Sequence, residues 1–294
     1  MSKQAIVFGG SGFLGSHVTE ELFRKGYEVT VFDRNPSRYL KAGQKMVVGD
    51  LLDVDHVKTA IKGHDVVFHF AGLSDLDLGL DQPLEAAQQN ISGTIHLLNA
   101  SVEAKVQRFV FASTIYVYSN LGGFYRCSKQ ATELFVEEFN RRYGLDFTVL
   151  RYGSLYGTRA NDSNGVRKSL LQGFKEDKIA YQGTGDEMRE YIHVSDAARL
   201  TVDILSPEYK NKHIVITGHH PMKAREMLEM ICEILKKDIQ LEFSDDPNNS
   251  YHYTLTPYSF TPKIGSKLVS NLYVDMGQGL LECLQEISQE LNHP

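Results

Sequence analysis

Apolar residues in the first half of the chain gather in short, nearly unbroken runs. The runs at 5–8, 28–32, 45–48, 66–70, 108–112 and 147–150 are rich in Val, Ile and Phe, and several do not alternate with polar residues. Such runs suit strands buried on both faces of a parallel sheet. Between them, apolar residues three and four apart predict helices over 12–25, 54–62, 84–104 and 128–143. In 84–104, Leu84, Ala87, Ile91, Ile95, Leu98 and Val102 draw one continuous helical stripe. This alternation predicts right-handed βαβ units in a doubly wound α/β sheet.

Beyond about Gly153 the pattern loosens. Short strands at 179–182, 213–217 and 239–243 mix with helices at 223–236 and 276–291, among glycines and asparagines. We expect a first domain over residues 1–153 and a smaller C-terminal lobe over 154–294, with some elements returning to the main sheet. Residues 244–262, with three prolines and many Asn, Ser and Thr, read as a surface loop.

Composition narrows the classes. Of 294 residues, 42% are apolar and 23% charged, which excludes a disordered chain and supplies a sizeable core. The net charge of −6 argues against a nucleic-acid partner. No apolar run approaches the roughly 18–20 residues of a membrane span, and the first residues lack the apolar region of a signal peptide. Cys127, Cys232 and Cys283 have no paired spacing. A cytoplasmic protein without a membrane partner is expected.

Gly9, Gly12 and Gly15 follow the first strand and open the first helix, with Phe13 and Leu14 inside the turn. Glycines there let the backbone turn sharply and let a pyrophosphate approach the positive helix end, the fingerprint of a Rossmann-type dinucleotide site. Asp33 ends the second strand, where a carboxylate receives the ribose diol and repels an added 2′-phosphate. NAD is therefore expected rather than NADP. The adjacent Arg34 is suited either to a phosphate or to stacking on adenine. Asp50 and Leu51 follow the third strand and Ala71 and Leu73 the fourth, at the carboxyl ends where ligands bind in such sheets.

Ser113 and Thr114 end the fifth strand, and Tyr125 and Lys129 stand four apart on a helix, hence on one face. A neighbouring ammonium and a cationic nicotinamide both favour the phenolate and are expected to lower the tyrosine pKa. Tyr125 could then take a proton from a substrate hydroxyl as hydride leaves, with Ser113 bonded to the same oxygen.

With these motifs the sequence resembles the extended short-chain dehydrogenase/reductases of the NAD-dependent epimerase/dehydratase family, which modify nucleotide sugars. The likeness extends to Asn90-Ile-Ser-Gly93-Thr94, Leu150-Arg-Tyr-Gly-Ser-Leu-Tyr-Gly157 and the segment from Gly183 to Asp196. It implies a modified Rossmann fold with a C-terminal substrate-binding lobe, and a homodimer paired through the helices at 84–104 and 128–143. It also implies Ser113, Tyr125 and Lys129 as catalytic residues, Thr114 and Ser154 beside the substrate, and Arg189 on the substrate diphosphate.

Departures from the family pattern bear on the reaction. Ile115-Tyr116 stands where dehydratases carry Asp-Glu, which speaks against dehydration. No cysteine stands beside Ser113, and Cys127 is expected to pack inside the helix turn. Ser154 replaces the common Asn, no second Arg occurs in 245–260, and the segment from Ser113 to Tyr125 is short, which implies a more open pocket. The expected function is oxidation of a nucleotide-sugar hydroxyl, most naturally the 4-hydroxyl, by an NAD-dependent enzyme. A 4-epimerase comes first, a dehydrogenase or ketoreductase releasing the keto sugar second, and a non-catalytic dinucleotide sensor last.

Other features are read as structural. The eleven histidines contain no metal-binding spacing, and no metal is expected. His69 is expected to be a satisfied core residue, and His193 to support the Arg189 loop or to pack. The run Ser74 to Asp81 lacks the glutamate of a calcium loop. Arg141 and Arg142 complement a helix dipole.

Overall fold

The computed structural model describes residues 3–73, 82–244 and 254–257. The helix expected at 276–291, most of the loop at 244–262, the acidic run 74–81 and Cys283 lie outside those residues. The predicted runs become β1 (Gln4–Phe8), β2 (Glu28–Asp33), β3 (Lys45–Val48), β4 (Val66–His69), β5 (Arg108–Thr114) and β6 (Phe147–Tyr152). The second half adds β7 (Ser154–Tyr156), β8 (Lys178–Gln182), β9 (Met188–Arg189), β10 (Tyr191–His193), β11 (Lys212–Ile216), β12 (Met222–Lys223) and β13 (Gln240–Ser244). The helices are α1 (Phe13–Arg24), α2 (Val54–Ile61), α3 (Pro83–Ala86), α4 (Gly93–Glu103), α5 (Gly123–Tyr143), α6 (Gly165–Glu176), α7 (Val194–Asp203) and α8 (Ala224–Leu235).

Seven strands form one sheet in the order β11-β6-β5-β4-β1-β2-β3, each neighbouring pair parallel. This is the doubly wound Rossmann arrangement, with the order reversing between β1 and β4. Alternate residues feed two apolar layers. Ile6, Phe8, Phe109, Phe111 and Val149 pack with Val57, Ile61, Leu97, Leu98, Val136 and Phe139 of α2, α4 and α5. Ala5, Val7, Phe68, Val110 and Leu150 pack with Val18 and Leu22 of α1 and Ala197, Ala198 and Val202 of α7. Both faces are dry, which is why the strand runs do not alternate. A smaller core joins Ile179 of β8, Leu228 and Ile231 of α8, and Phe243 of β13.

Four elements differ from the expected pattern. The stripe over 84–104 is not one α-helix, because a π-helical turn, Ala87–Ser92, separates α3 from α4. In it the Asn90 side chain accepts from Leu73 N–H at 2.8 Å and donates to the Leu73 carbonyl at 3.0 Å and to Ser128 Oγ at 2.9 Å. Helix α5 begins five residues before Ser128. Gly122, at φ +96°, turns the chain into it, and Ser128 serves inside the helix by donating to the Tyr125 carbonyl at 2.8 Å. Helices α6 and α7 escaped the sequence pattern. Asn164 caps the first by accepting from Arg167 N–H, and His193, an unusual capping residue, caps the second by accepting from Ser195 N–H through Nδ1.

Gly15 tests how tightly the sheet centre is built. In an open helix interior Gly→Ala stabilises by roughly 0.5–1 kcal/mol. Here a Cβ would stand 2.2 Å from the Gly9 carbonyl oxygen, a backbone atom with no freedom to yield. Gly15→Ala should therefore lose roughly 1–3 kcal/mol. Chemical denaturation measures it; a gain would mean that the turn and helix separate freely.

Candidate active site

The carboxyl ends of β1, β2, β4, β5 and β6 open into one cavity of about 710 Å³, lined by Gly9, Asp33, Ala71, Thr114, Tyr125 and Lys129 among others. At one end is the glycine turn. Gly9, at φ +81°, approaches β4 so closely that a Cβ would stand 2.5 Å from the Ala71 nitrogen. Its N–H donates to the Phe32 carbonyl at 2.8 Å, and Gly12 N–H donates back to the Gly9 carbonyl at 3.1 Å. No side chain caps α1, so its first N–H groups face the cavity edge. This cradle fits a dinucleotide pyrophosphate.

Asp33 accepts from Ser11 N–H through Oδ2 and from Asn35 N–H through Oδ1, each at 3.0 Å. It thus braces the glycine turn while lining the cavity, and both oxygens keep lone pairs for a ribose diol. Arg34 is exposed beside it. Gly12, Phe13, Leu14, Gly15, Leu51 and Ala71 also line the cavity. Asp50 and Leu73 do not. The Asp50 carboxylate accepts from Leu52 N–H at 2.8 Å to close its own turn, and Leu73 is bonded through its main chain to Asn90.

At the centre, Lys129 is buried. Its Nζ donates to the Ala112 carbonyl at 2.8 Å and lies 4.8 Å from the Phe111 ring centroid and 5.8 Å from that of Tyr125. Burial pushes its pKa down to about 8, against the pull of Glu133. The Tyr125 hydroxyl is hydrogen-bonded to Thr114, and burial pushes its pKa up to about 12. The expected lowering of the tyrosine is therefore reversed in the protein alone, because desolvation of the phenolate outweighs what its neighbours return.

The hydroxyl beside Tyr125 is that of Thr114, not Ser113. Ser113 donates to Glu133 Oε1 at 2.5 Å, whereas Thr114 is the last residue of β5 and caps the turn after it. The signal was present in the sequence: in a parallel sheet the terminal residue of a strand reaches the ligand edge. Ser154 and Arg189 line the far side of the cavity, with Arg189 buried and donating to the Met188 carbonyl at 3.1 Å. Gln89, Tyr116, Asn164, Lys168 and Tyr181 also line it, and sequence reasoning had not assigned them to it. Glu187 accepts from the N–H groups of Thr184 and Gly185, holding the glycine turn before Arg189.

Two histidine and cysteine readings change. His69 is half satisfied: Nε2 bonds Thr94 Oγ1 at 2.8 Å, Nδ1 has no partner among the described residues, and burial holds the ring neutral. Cys127 is exposed rather than packed. No group of potential metal ligands occurs among the described residues, and no helix among them is long and apolar enough to cross a membrane.

Comparison with known proteins places this geometry in context. The sequence model of the NAD dependent epimerase/dehydratase family matches residues 5–217. The chain is 26% identical over 270 residues to a UDP-N-acetyl-alpha-D-glucosaminuronate decarboxylase of Bacillus cytotoxicus, covering 80% of this chain and 81% of the relative. It is 25% identical over 247 residues to a putative UDP-glucose 4-epimerase of Methanocaldococcus jannaschii, covering 77% and 80%. The UDP-glucose 4-epimerase of Thermotoga maritima, solved with UDP-glucose, superposes with a TM-score of 0.80 at 24% identity, over 88% of this chain and 90% of that one. That of Thermus thermophilus, solved with NAD, gives 0.79 at 23%, over 90% and 95%. These structural likenesses establish a shared fold.

The depressed Lys129 pKa makes stability depend on pH. Between about 8 and its ordinary 10.5, the unfolded chain holds a proton that the folded chain has released. Stability should rise with pH across that window, by up to about 1.4 kcal/mol per unit. The difference between wild type and Lys129→Met in urea titrations isolates this contribution. A flat difference would place the Lys129 midpoint at its ordinary value.

Proposed function

Because the chain belongs to the NAD-dependent epimerase/dehydratase family, we propose that it is an enzyme that oxidises the 4-hydroxyl of a nucleotide sugar and returns the hydride to the opposite face, a 4-epimerase. One observation carries the choice within the family. Among the described residues lining the cavity, the only carboxylate is Asp33, at the dinucleotide end. Beside Thr114 stand buried Ile115 and half-buried Tyr116. Elimination of water needs an acid and a base at the sugar, and these side chains supply neither.

As the phenolate, to which Thr114 donates, Tyr125 takes the proton from the sugar hydroxyl and becomes the neutral phenol. Lys129, with a midpoint near 8, is mostly protonated at neutral pH and lends its charge to the phenolate and to the ribose side of the site. Gly9, Gly12, Gly15 and Asp33 would hold the NAD, which when bound would supply the hydride acceptor and a positive charge favouring the phenolate. Arg189 meets the substrate diphosphate with its two-pronged guanidinium.

Incubation with UDP-, GDP- and dTDP-hexoses, followed by mass spectrometry and cofactor absorbance, tests the reaction. An isomeric product without net NADH is expected. NADH formed in step with a keto sugar would identify a dehydrogenase, and loss of water or carbon dioxide would overturn the assignment. The roles are tested separately. Tyr125→Phe should slow hydride transfer about 100- to 10,000-fold. Thr114→Val should slow it about 10- to 100-fold, more than Ser113→Ala does. The reverse order in single-turnover rates would return the role to Ser113.

A homodimer is also proposed, formed through the adjoining helices α3 and α5. On them Leu84 is 69% exposed, Leu134 66% and Phe135 40%, apolar side chains that a second copy would cover. Sedimentation equilibrium should give twice the chain mass at micromolar concentration; a monomer would refute it.

A further inference from the structure

Behind the catalytic pair lies a buried charge network that the proposed reaction does not use. Glu133 stands one helical turn beyond Lys129 on α5 and two beyond Tyr125, so the three share a helix face. It is 5% exposed. A carboxylate at that depth persists only when fully paired. Ser113 Oγ donates to Oε1 at 2.5 Å, and Arg151 donates through Nε to Oε1 at 3.1 Å and through Nη2 to Oε2 at 2.5 Å.

The sheet register sets this clamp, because Arg151 of β6 lies opposite Ser113 of β5. Arg151 is fixed in turn by Tyr118, donating to its hydroxyl at 2.5 Å with the guanidinium 4.7 Å over its ring. From β11, His213 Nε2 lies 3.1 Å from Glu137 and 3.9 Å from Glu133, and burial lowers its pKa, so it adds no charge at neutral pH.

Two adjacent residues of β5 are thus gripped from one helix. The Ala112 carbonyl receives Lys129, and Ser113 is bound to Glu133, immediately before Thr114 reaches Tyr125. The groups around Lys129 are few. β5 offers it a carbonyl and the Phe111 ring, β4 brings neutral His69, α5 brings neutral Tyr125, and Glu133 brings the negative charge. Without that carboxylate, the buried Lys129 ammonium and the half-buried Arg151 guanidinium would each lose their negative partner.

We infer that Glu133, clamped by Arg151 and Ser113, is a positioning residue that keeps Lys129 charged in a desolvated site and fixes the end of β5 that carries Thr114. Its role in turnover rests on the catalytic reading of Lys129 above; its effect on the Lys129 charge does not. Glu133→Gln keeps the shape and an acceptor but removes the charge.

NMR titration of the full chain with ¹³C-labelled lysine, assigned through Lys129→Met, reads the charge directly. In Glu133→Gln the Lys129 midpoint should fall by about one pH unit or more, a tenfold loss of proton affinity. In Ser113→Ala, which loses a hydrogen bond but no charge, it should stay in place. An unchanged midpoint in folded Glu133→Gln overturns the inference. If that variant does not fold, Arg151→Met serves: it removes a cation and leaves the Glu133 carboxylate free to act on Lys129, so the midpoint should rise, and an unchanged or lower midpoint counts against the inference. The alkaline limb of the kcat profile should move with the midpoint. A limb that stays while Lys129 shifts would count against the catalytic role of Lys129, leaving the charge effect of Glu133 established.

Discussion

The site depends on how closely two backbones meet at the centre of the sheet. Between β1 and β4 the strand order reverses, and the crossovers leave to opposite faces, opening a crevice at the carboxyl edge. Into that crevice the Gly9 turn and the exit of β4 press together at a distance that admits no Cβ, while Gly15 brings α1 equally close to Gly9. The helix end and the turn therefore form one surface. Asp33 of β2 secures it by bonding Ser11 of that turn. Everything that places a dinucleotide follows from this contact, and the reacting groups on β5 and α5 are positioned from the neighbouring strands.

Desolvation then shapes the chemistry. Tyr125 and Lys129 are both pushed toward their neutral forms by burial, one up and the other down. A resting site of this kind holds a neutral phenol beside a lightly held ammonium proton, so each nearby charge has large leverage. Glu133 acts from behind and the cationic ring of the bound cofactor from in front. On the reading proposed above, activation of the tyrosine is thereby coupled to occupancy of the dinucleotide site.

Much of this was readable in the chain. The non-alternating Val, Ile and Phe runs gave the parallel sheet because burial on both faces leaves no polar alternation. Gly9, Gly12, Gly15 and Asp33 marked the end of the cavity that they line, because few residue types meet those steric and charge demands. The different placements of Ser113 and Thr114 were legible only in part: both stand at the end of β5, and the rule that the terminal residue reaches the ligand edge applies once the strand's last member is known. The rise in the Tyr125 pKa in the protein alone was not legible, because sequence spacing displays the nearby ammonium and conceals the burial. Glu133 was missed for a similar reason: its partners Ser113, Arg151 and His213 meet it only through the β5–β6–β11 pairing. The Asp50 and Leu73 assignments followed the strand ends, whereas the turns beyond them engage the Asp50 carboxylate in a local hydrogen bond and the Leu73 main chain with Asn90.

The π-helical turn at Ala87–Ser92 has a consequence for how this chain can vary. An α-helix advances about 100° per residue, so one extra residue accommodated in a widened turn shifts the phase of everything before it. Here that phase lets Gln89 line the cavity while Asn90 turns inward to clamp Leu73 and Ser128, and α4 still buries Leu97 and Leu98. Deleting one residue would restore a regular helix and swing α3 around its axis, removing Leu84 from its present surface. Insertions and deletions should therefore be tolerated in the loops around this segment and selected against within it, although a helix of mixed polarity gives no outward sign of such rigidity in length.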